Sequence, residues 1–361
     1  MSLIEDVEKH RNDIVTDTYT TTWRELIGQY KDGDLIIDPE YQRLFRWDRD
    51  QQTQYVESIL LNIPSPPVFL AKNTDGKSEV IDGLQRLSTL LKFFAKDVFA
   101  ENSKESSNDD EDERNDIQVP ATLSAGPIVP SLEGFTAATL PETLLRTLRY
   151  ARISIILLEK ESSIRARYEV FKRLNKLGSP LSDQEIRNCT ARLFGKDFPN
   201  ALRALAAKQV IRNALSPAVE AERRMFVEEM LLRLLAFNYS KANLRHEISE
   251  YLDEFMVYAS EGKFNLTDEV QQRIERAFTL VDQTYPDGKA FRFERGGFST
   301  NLFDVVAIGV YENVQSLTSE EFRKRHQALI GSEELGALVG AGSNTRKKLA
   351  GRLLLGKKWF K

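Results

Sequence analysis

The chain is poor in the residues that build covalent and metal-bound sites. Among its 361 residues there is one cysteine, Cys189, so neither an intrachain disulfide nor a cysteine-rich zinc centre can form. The three histidines, His10, His246 and His326, are scattered. They make no His-x-x-x-His or His-Glu-x-x-His pair, which argues against a zinc hydrolase or a His-Asn-His nuclease within this chain. Metal held only by carboxylates remains open. No apolar run approaches the roughly 18–20 residues of a membrane span, so no membrane partner is expected. The net charge of −4 argues against a generally basic nucleic-acid coat and leaves local patches open. Residues 1–13 are acidic and polar, unlike a secretory signal. With the lone cysteine, this points to a reduced, cytoplasmic setting.

What is present is enough apolar sequence for a buried core and enough length for two domains. The pattern predicts an α+β protein, with a mixed α/β domain over 14–160 and a mainly helical domain over 161–361. In the first part, an extended lead-in precedes a helix over Thr22 to Tyr30. Asp48 reads as the N-cap of a helix from Arg49 to Leu61, which Pro64, Pro66 and Pro67 end. Val68 to Ala71 and Ser78 to Ile81 read as strands joined at Asp75-Gly76, a hairpin turn signal. Residues 101–116 form an acidic, polar insert with nothing to bury, expected as a surface loop. Arg152 to Glu159 reads as a buried strand. Helices follow from Ser163 onward, including one opened by the capping box Ser182-x-x-Glu185. Further helices are expected near 199–213, 220–238, 241–260, 267–284, 300–315 and 319–330. Cys189 is expected in the core.

The most informative stretch is Val80-Ile81-Asp82-Gly83-Leu84-Gln85-Arg86-Leu87-Ser88-Thr89. It reads as a strand end, one glycine and a helix start. Leu84, Leu87, Leu90, Leu91 and Phe94 keep helical spacing. Such a junction aims backbone N–H groups and the positive dipole end at one point, which suits a phosphate. Arg86 adds a planar cation there. Gln85, Ser88 and Thr89 add neutral hydrogen-bonding groups. Asp82 is placed to hold a magnesium ion or a water. The alternative is an ordinary βα turn hinged at Gly83. A Walker-like run, Ala71-x-x-x-x-Gly76-Lys77-Ser78, is a false lead, because its Gly-Lys-Ser enters a strand rather than opening a helix.

Three segments act together as a signature. They are Pro39-x-Tyr41-Gln42-Arg43-x-x-x-Trp47, then Asp82-Gly83-x-Gln85-Arg86-Leu87-x-Thr89-Leu90, then Phe171-x-x-Leu174-Asn175-x-x-Gly178-x-x-Leu181-Ser182-x-x-Glu185-Ile186-Arg187-Asn188. Their order and spacing resemble the N-terminal domain of GmrSD-type restriction endonucleases, over roughly residues 20–195. The resemblance implies a ParB/sulfiredoxin-like fold and a role in bacterial defence against phage. It also implies nucleotide binding and hydrolysis through an Asp-Gly-Gln-Gln-Arg motif. Asp82, Gly83, Gln85 and Arg86 match that motif, and Leu84 stands where its first Gln would be. Many relatives carry a His-Asn-His nuclease domain, whose signature this chain lacks. A nuclease in trans is the corresponding partner.

On this reading Asp82, Gln85 and Arg86 are the catalytic candidates for a magnesium-dependent NTPase. Tyr41, Gln42, Arg43, Gly83, Arg86, Ser88, Thr89, Arg187 and Asn188 are the nucleotide-binding candidates. Tyr41, Arg43, Arg46 and Trp47 can stack on a base and grip a phosphate, or anchor the core. Arg173, Asn175, Arg187 and Asn188 flank a helix–Gly–helix corner and either complete the phosphate site or satisfy helix ends. Glu185 is assigned to capping. Residues 343–361 carry no acid, and Arg346, Lys347, Lys348 and Arg352 are candidates for DNA contact. The alternatives are a non-hydrolytic DNA-binding clamp and, less well supported, a carboxylate-metal nuclease. The helical half offers surface for a homo-oligomer.

Overall fold

The structure is a computed structural model. It describes residues 2–11, 13–37, 47–73, 75–98, 117–177, 182–219, 221, 224–240, 248–294, 296–340, 342 and 345–361, with only the backbone at 9 and 175–177. The acidic insert and the Tyr41-Gln42-Arg43 segment lie outside the described residues. The chain falls into two compact units, Met1–Leu177 and Gly178–Lys361.

The first unit is mixed α/β, as its sequence pattern predicts. Its elements are α1 (Leu3–Arg11), β1 (Thr16–Thr22), α2 (Trp23–Asp32), β2 (Leu35–Ile36), α3 (Arg49–Leu60), β3 (Val68–Lys72), β4 (Ser78–Asp82), α4 (Leu84–Phe93), α5 (Ala95–Val98), α6 (Glu142–Tyr150), β5 (Arg152–Leu158) and α7 (Ile164–Leu177). The sheet order is β1-β5-β3-β4-β2. β1 with β5 and β3 with β4 are antiparallel; β3 with β5 and β2 with β4 are parallel.

Local chemistry explains these elements. Asp48 accepts from the Gln51 N–H and the Gln51 side chain returns the bond, a complete capping box at the start of α3. Gly76, at φ +87°, makes the turn between β3 and β4. Lys77-Ser78 therefore leads into a strand, which disposes of the Walker-like reading. Central β3 and β5 bury Val68, Leu70, Ile153, Ile155 and Leu157. From Arg86 to Phe93 every residue of α4 is buried. It is packed all round, with α2 and α3 among its neighbours. α7 packs on β4, so it belongs with the sheet, whereas the sequence places it in the helical half.

The second unit is helical. It comprises α8 (Asp183–Ala191), α9 (Asp197–Ala206), α10 (Gln209–Leu215), α11 (Phe226–Tyr239), α12 (Ile248–Ser260), α13 (Asp268–Thr284), α14 (Thr300–Asn313), α15 (Ser319–Ile330), α16 (Glu333–Leu338) and α17 (Arg346–Trp359). The single helix expected near 199–213 is two, α9 and α10. α14 is its spine, buried continuously from Leu302 to Tyr311. α17 lies close against it because both helices present glycine. A Cβ on Gly356 would collide with the Val305 carbonyl, and one on Gly309 with the Phe360 ring and the Gly356 carbonyl. Among the described residues, no helix is long and apolar enough to cross a membrane.

Candidate functional site

The β4–α4 junction is built by one glycine and one bulge. Gly83 has φ +98°, and a Cβ there would sit 2.9 Å from Val68 Cγ2. Both the conformation and the space require glycine. Just before it, the β3–β4 register shifts between Phe69 and Leu70, with Phe69 opposite Asp82. Such a bulge re-aims the side chain at a strand end. The helix then starts without a side-chain cap; its first bond runs from the Leu87 N–H to the Gly83 carbonyl. Asp82, Leu84 and Gln85 are half-buried, so this positive end reaches solvent.

Arg86 turns back across the junction. Its Nη2 donates to Asp82 Oδ2 at 3.1 Å and to the Pro67 carbonyl at 3.3 Å, and its Nη1 donates to the Pro66 carbonyl. Only 9% of the residue is exposed. The guanidinium thus ties the strand-end acid to the proline loop before β3. Gln85 lies on the other flank. Its Oε1 accepts from the Trp47 N–H at 3.1 Å, and Gln52 Nε2 donates to the Trp47 carbonyl at 2.7 Å. Trp47 packs on Tyr55, ring centroids 5.6 Å apart, which makes it an anchor of this unit. Burial pushes the Tyr55 phenol up to about 12, against the opposing effects of the Ser65 hydrogen bond and Arg86. Tyr55 therefore stays protonated and serves as packing and hydrogen-bonding surface.

Ser88 and Thr89 do not join the exposed end of the helix. Both are fully buried one turn further in, and the Thr89 hydroxyl donates to the Gln85 carbonyl at 2.7 Å. They were expected to hold phosphate because helical spacing keeps them near the start of α4; packing on all sides closes that route.

Arg187 and Asn188 are also interior, within the helical unit. Arg187 Nε donates to Asp253 Oδ1 at 2.7 Å, and Nη2 to Ser249 Oγ at 2.8 Å. Asn188 accepts from Gln184 Nε2 at 2.8 Å. The Arg187 bonds fix α8 to α12, while the Gln184–Asn188 bond stays within α8. Glu185 completes the capping box with Ser182, and Cys189 is buried. In α17, Arg346 and Lys347 are exposed and Lys348 half-buried. Arg352 is a correction to the expected DNA contacts: it is wholly buried, with Nε donating to Asp304 Oδ2 at 3.1 Å.

Among the described residues, no group of three His, Cys, Asp or Glu can hold a metal ion. Asp82 offers one half-exposed carboxylate. That donor set fits a magnesium ion whose other ligands are phosphate oxygens and water, and does not fit a resident ion held by protein alone. Sequence reading missed the Pro66–Pro67 clasp, because carbonyl acceptors carry no side-chain signal. It also missed a cleft of about 550 Å³ in the helical unit, lined by Gln209, Arg212, Asn213, Ser216, Asp282 and Asp287 among others.

A mixed sheet with an aspartate–glycine–helix junction defines an α/β domain followed by a helical unit. Residues 23–191 match the family model described as GmrSD restriction endonuclease, N-terminal domain. Residues 23–191 are therefore a domain of the GmrSD N-terminal type, a domain that points to restriction-type anti-phage defence. No curated protein and no solved structure matches the chain.

Proposed function

We propose that this chain is a nucleotide-dependent component of restriction-type defence, which binds and hydrolyses a nucleoside triphosphate at the β4–α4 junction to control action on DNA. The observation carrying this reading is the uncapped, half-exposed start of α4 directly behind Asp82 and an obligate glycine. Backbone N–H groups and the helix dipole favour phosphate there. Asp82 would hold the magnesium that accompanies the nucleotide, and that ion supplies charge neutralisation to the phosphates. Arg86 is a positioning residue in this scheme. It orients Asp82 and pins the Pro66–Pro67 loop. Gln85 positions Trp47. Tyr41, Gln42 and Arg43 remain the candidates for base and phosphate contact. DNA cleavage falls to a nuclease in trans.

The test is phosphate release from ATP, GTP, CTP and UTP, with and without DNA, by the wild-type chain beside Asp82→Asn and Arg86→Ala. Turnover lost in Asp82→Asn with an unchanged melting curve supports the site. Absence of turnover with every nucleotide removes hydrolysis. It leaves the second reading, a non-hydrolytic DNA-binding clamp, which the acid-free basic segment 343–361 favours.

A further inference from the structure

We infer that α17 lays its solvent face across a groove of duplex DNA, with a pair of cations at each end on the two phosphate rims. This deepens the DNA part of the proposed function and rests on it. At about 100° per residue, Arg346, Lys347, Lys357 and Lys358 fall within an arc of roughly 120° on one side of the helix. Every one of them is exposed. Ala350 and Leu354 lie in the same arc between the two pairs and are exposed as well. Leu354 is 55% exposed. The opposite side carries Leu349, Arg352 and Gly356, all buried. Lys361, just past the helix, is also exposed.

Most of the charge on this face is uncompensated. Only Lys357 has an ion-pair partner among the described residues, Glu312 at 3.1 Å; Arg346, Lys347 and Lys358 have none. Elsewhere, Lys72, Arg149, Lys208 and Lys263 are matched by local acids. Like charges gathered on a rigid helix repel one another, and a polyanion removes that repulsion. The spacing matters as much as the sign. Eleven residues separate Arg346 from Lys357 and Lys347 from Lys358. At about 1.5 Å per residue the pairs stand roughly 16 Å apart. That is comparable with the ~12 Å opening of the major groove between its phosphate rims. The uncharged stretch between them, Ala350 and Leu354, would lie over the opening. Arg352 takes no part, being committed to Asp304.

The experiment is binding of the full chain to an unmodified blunt duplex across a salt series. The wild-type chain is compared with Arg346→Gln/Lys347→Gln, with Lys357→Gln/Lys358→Gln, and with all four changes together. Each neutralised phosphate contact contributes about −0.9 to the slope of log affinity against log salt. Each double variant should therefore flatten the slope by roughly 2, and the quadruple variant by roughly 4. The melting temperature should stay unchanged, since the altered side chains are on the surface. A quadruple variant that binds with the wild-type slope overturns the proposal while leaving the DNA reading in place. Loss of slope from one pair only overturns the straddling geometry. A wild-type chain that binds no duplex at low salt removes the DNA reading and this surface together.

Discussion

Arg86 and Asp82 face each other at 3.1 Å across the obligate glycine of the β4–α4 junction, one helical turn apart in sequence. The same guanidinium holds the carbonyls of Pro66 and Pro67. The acid and the loop are thereby fixed by one side chain, and the two functions separate by substitution. Arg86→Ala leaves two carbonyls and a half-exposed carboxylate without their donor. An expected cost is about 1–3 kcal/mol, read as a shift in the urea midpoint at constant slope. Arg86→Lys keeps the charge but not the fork, and should recover only part of the loss. Asp82→Asn keeps an acceptor for Arg86 and should fold normally, while losing the magnesium-dependent turnover proposed for this junction. Equal stability of Arg86→Ala and wild type would show that the clasp does not hold.

Gly83→Ala combines a left-handed backbone with a Cβ 2.9 Å from Val68. Strain of this kind costs on the order of 1–3 kcal/mol. Val68→Ala would relieve the collision but not the backbone term. The double variant should therefore be more stable than the sum of its parts predicts, a coupling that thermal melts of the four-member cycle measure. Strict additivity would mean that the Val68 contact contributes nothing.

The sequence was informative where local chemistry decides. Asp48 and Ser182 cap the helices their spacing predicts, Asp75-Gly76 turns a hairpin, and Asp82-Gly83 joins a strand to a helix. It was less informative where side-chain type had to predict direction. Ser88, Thr89 and Arg352 are polar or charged and lie near positions that reach solvent, yet α4 is enclosed on all sides and the glycine contacts of α17 bring Arg352 against α14. A basic run does not reveal which of its members turns inward until the helix phase and the packing partner are known. The phase also adds Lys357 and Lys358 to the face that Arg346 and Lys347 begin.

Arg352 and Arg233 both bond the buried carboxylate of Asp304, from α17 and α11 to α14. Removing Arg352 leaves Asp304 paired with Arg233, but it empties a wholly buried position and takes the donor from the Leu338 carbonyl. Arg352→Ala is expected to cost about 1–3 kcal/mol through these lost hydrogen bonds, whereas Arg346→Ala on the same helix should fall within about 0.5 kcal/mol of wild type. Denaturant titration of both variants makes the comparison. Similar small effects from the two would place Arg352 on the surface and contradict its burial.

His326 gives the helical unit a pH dependence with a definite sign. It is 2% exposed, its Nε2 bonds the Ala290 carbonyl at 2.8 Å, and its Nδ1 has no hydrogen-bond partner among the described residues. Its ring lies against Tyr285 and Phe322. Burial lowers its pKa below the ordinary 6.5, more than the Ala290 bond raises it. The unfolded chain therefore binds this proton at a higher pH than the folded one. The stability that neutral His326 supports is fully present above about pH 6.5. It falls as pH drops through 6.5 toward the lower folded value, by at most about 1.4 kcal/mol per pH unit. His326→Gln keeps a donor for the Ala290 carbonyl and cannot be protonated. Wild type should lose stability relative to this variant as pH falls from 7.5 to 5.5, as followed by chemical denaturation at each pH. A wild-type-minus-variant difference that stays flat over that range would mean that His326 titrates alike in the folded and unfolded chains, and that its burial carries no proton linkage.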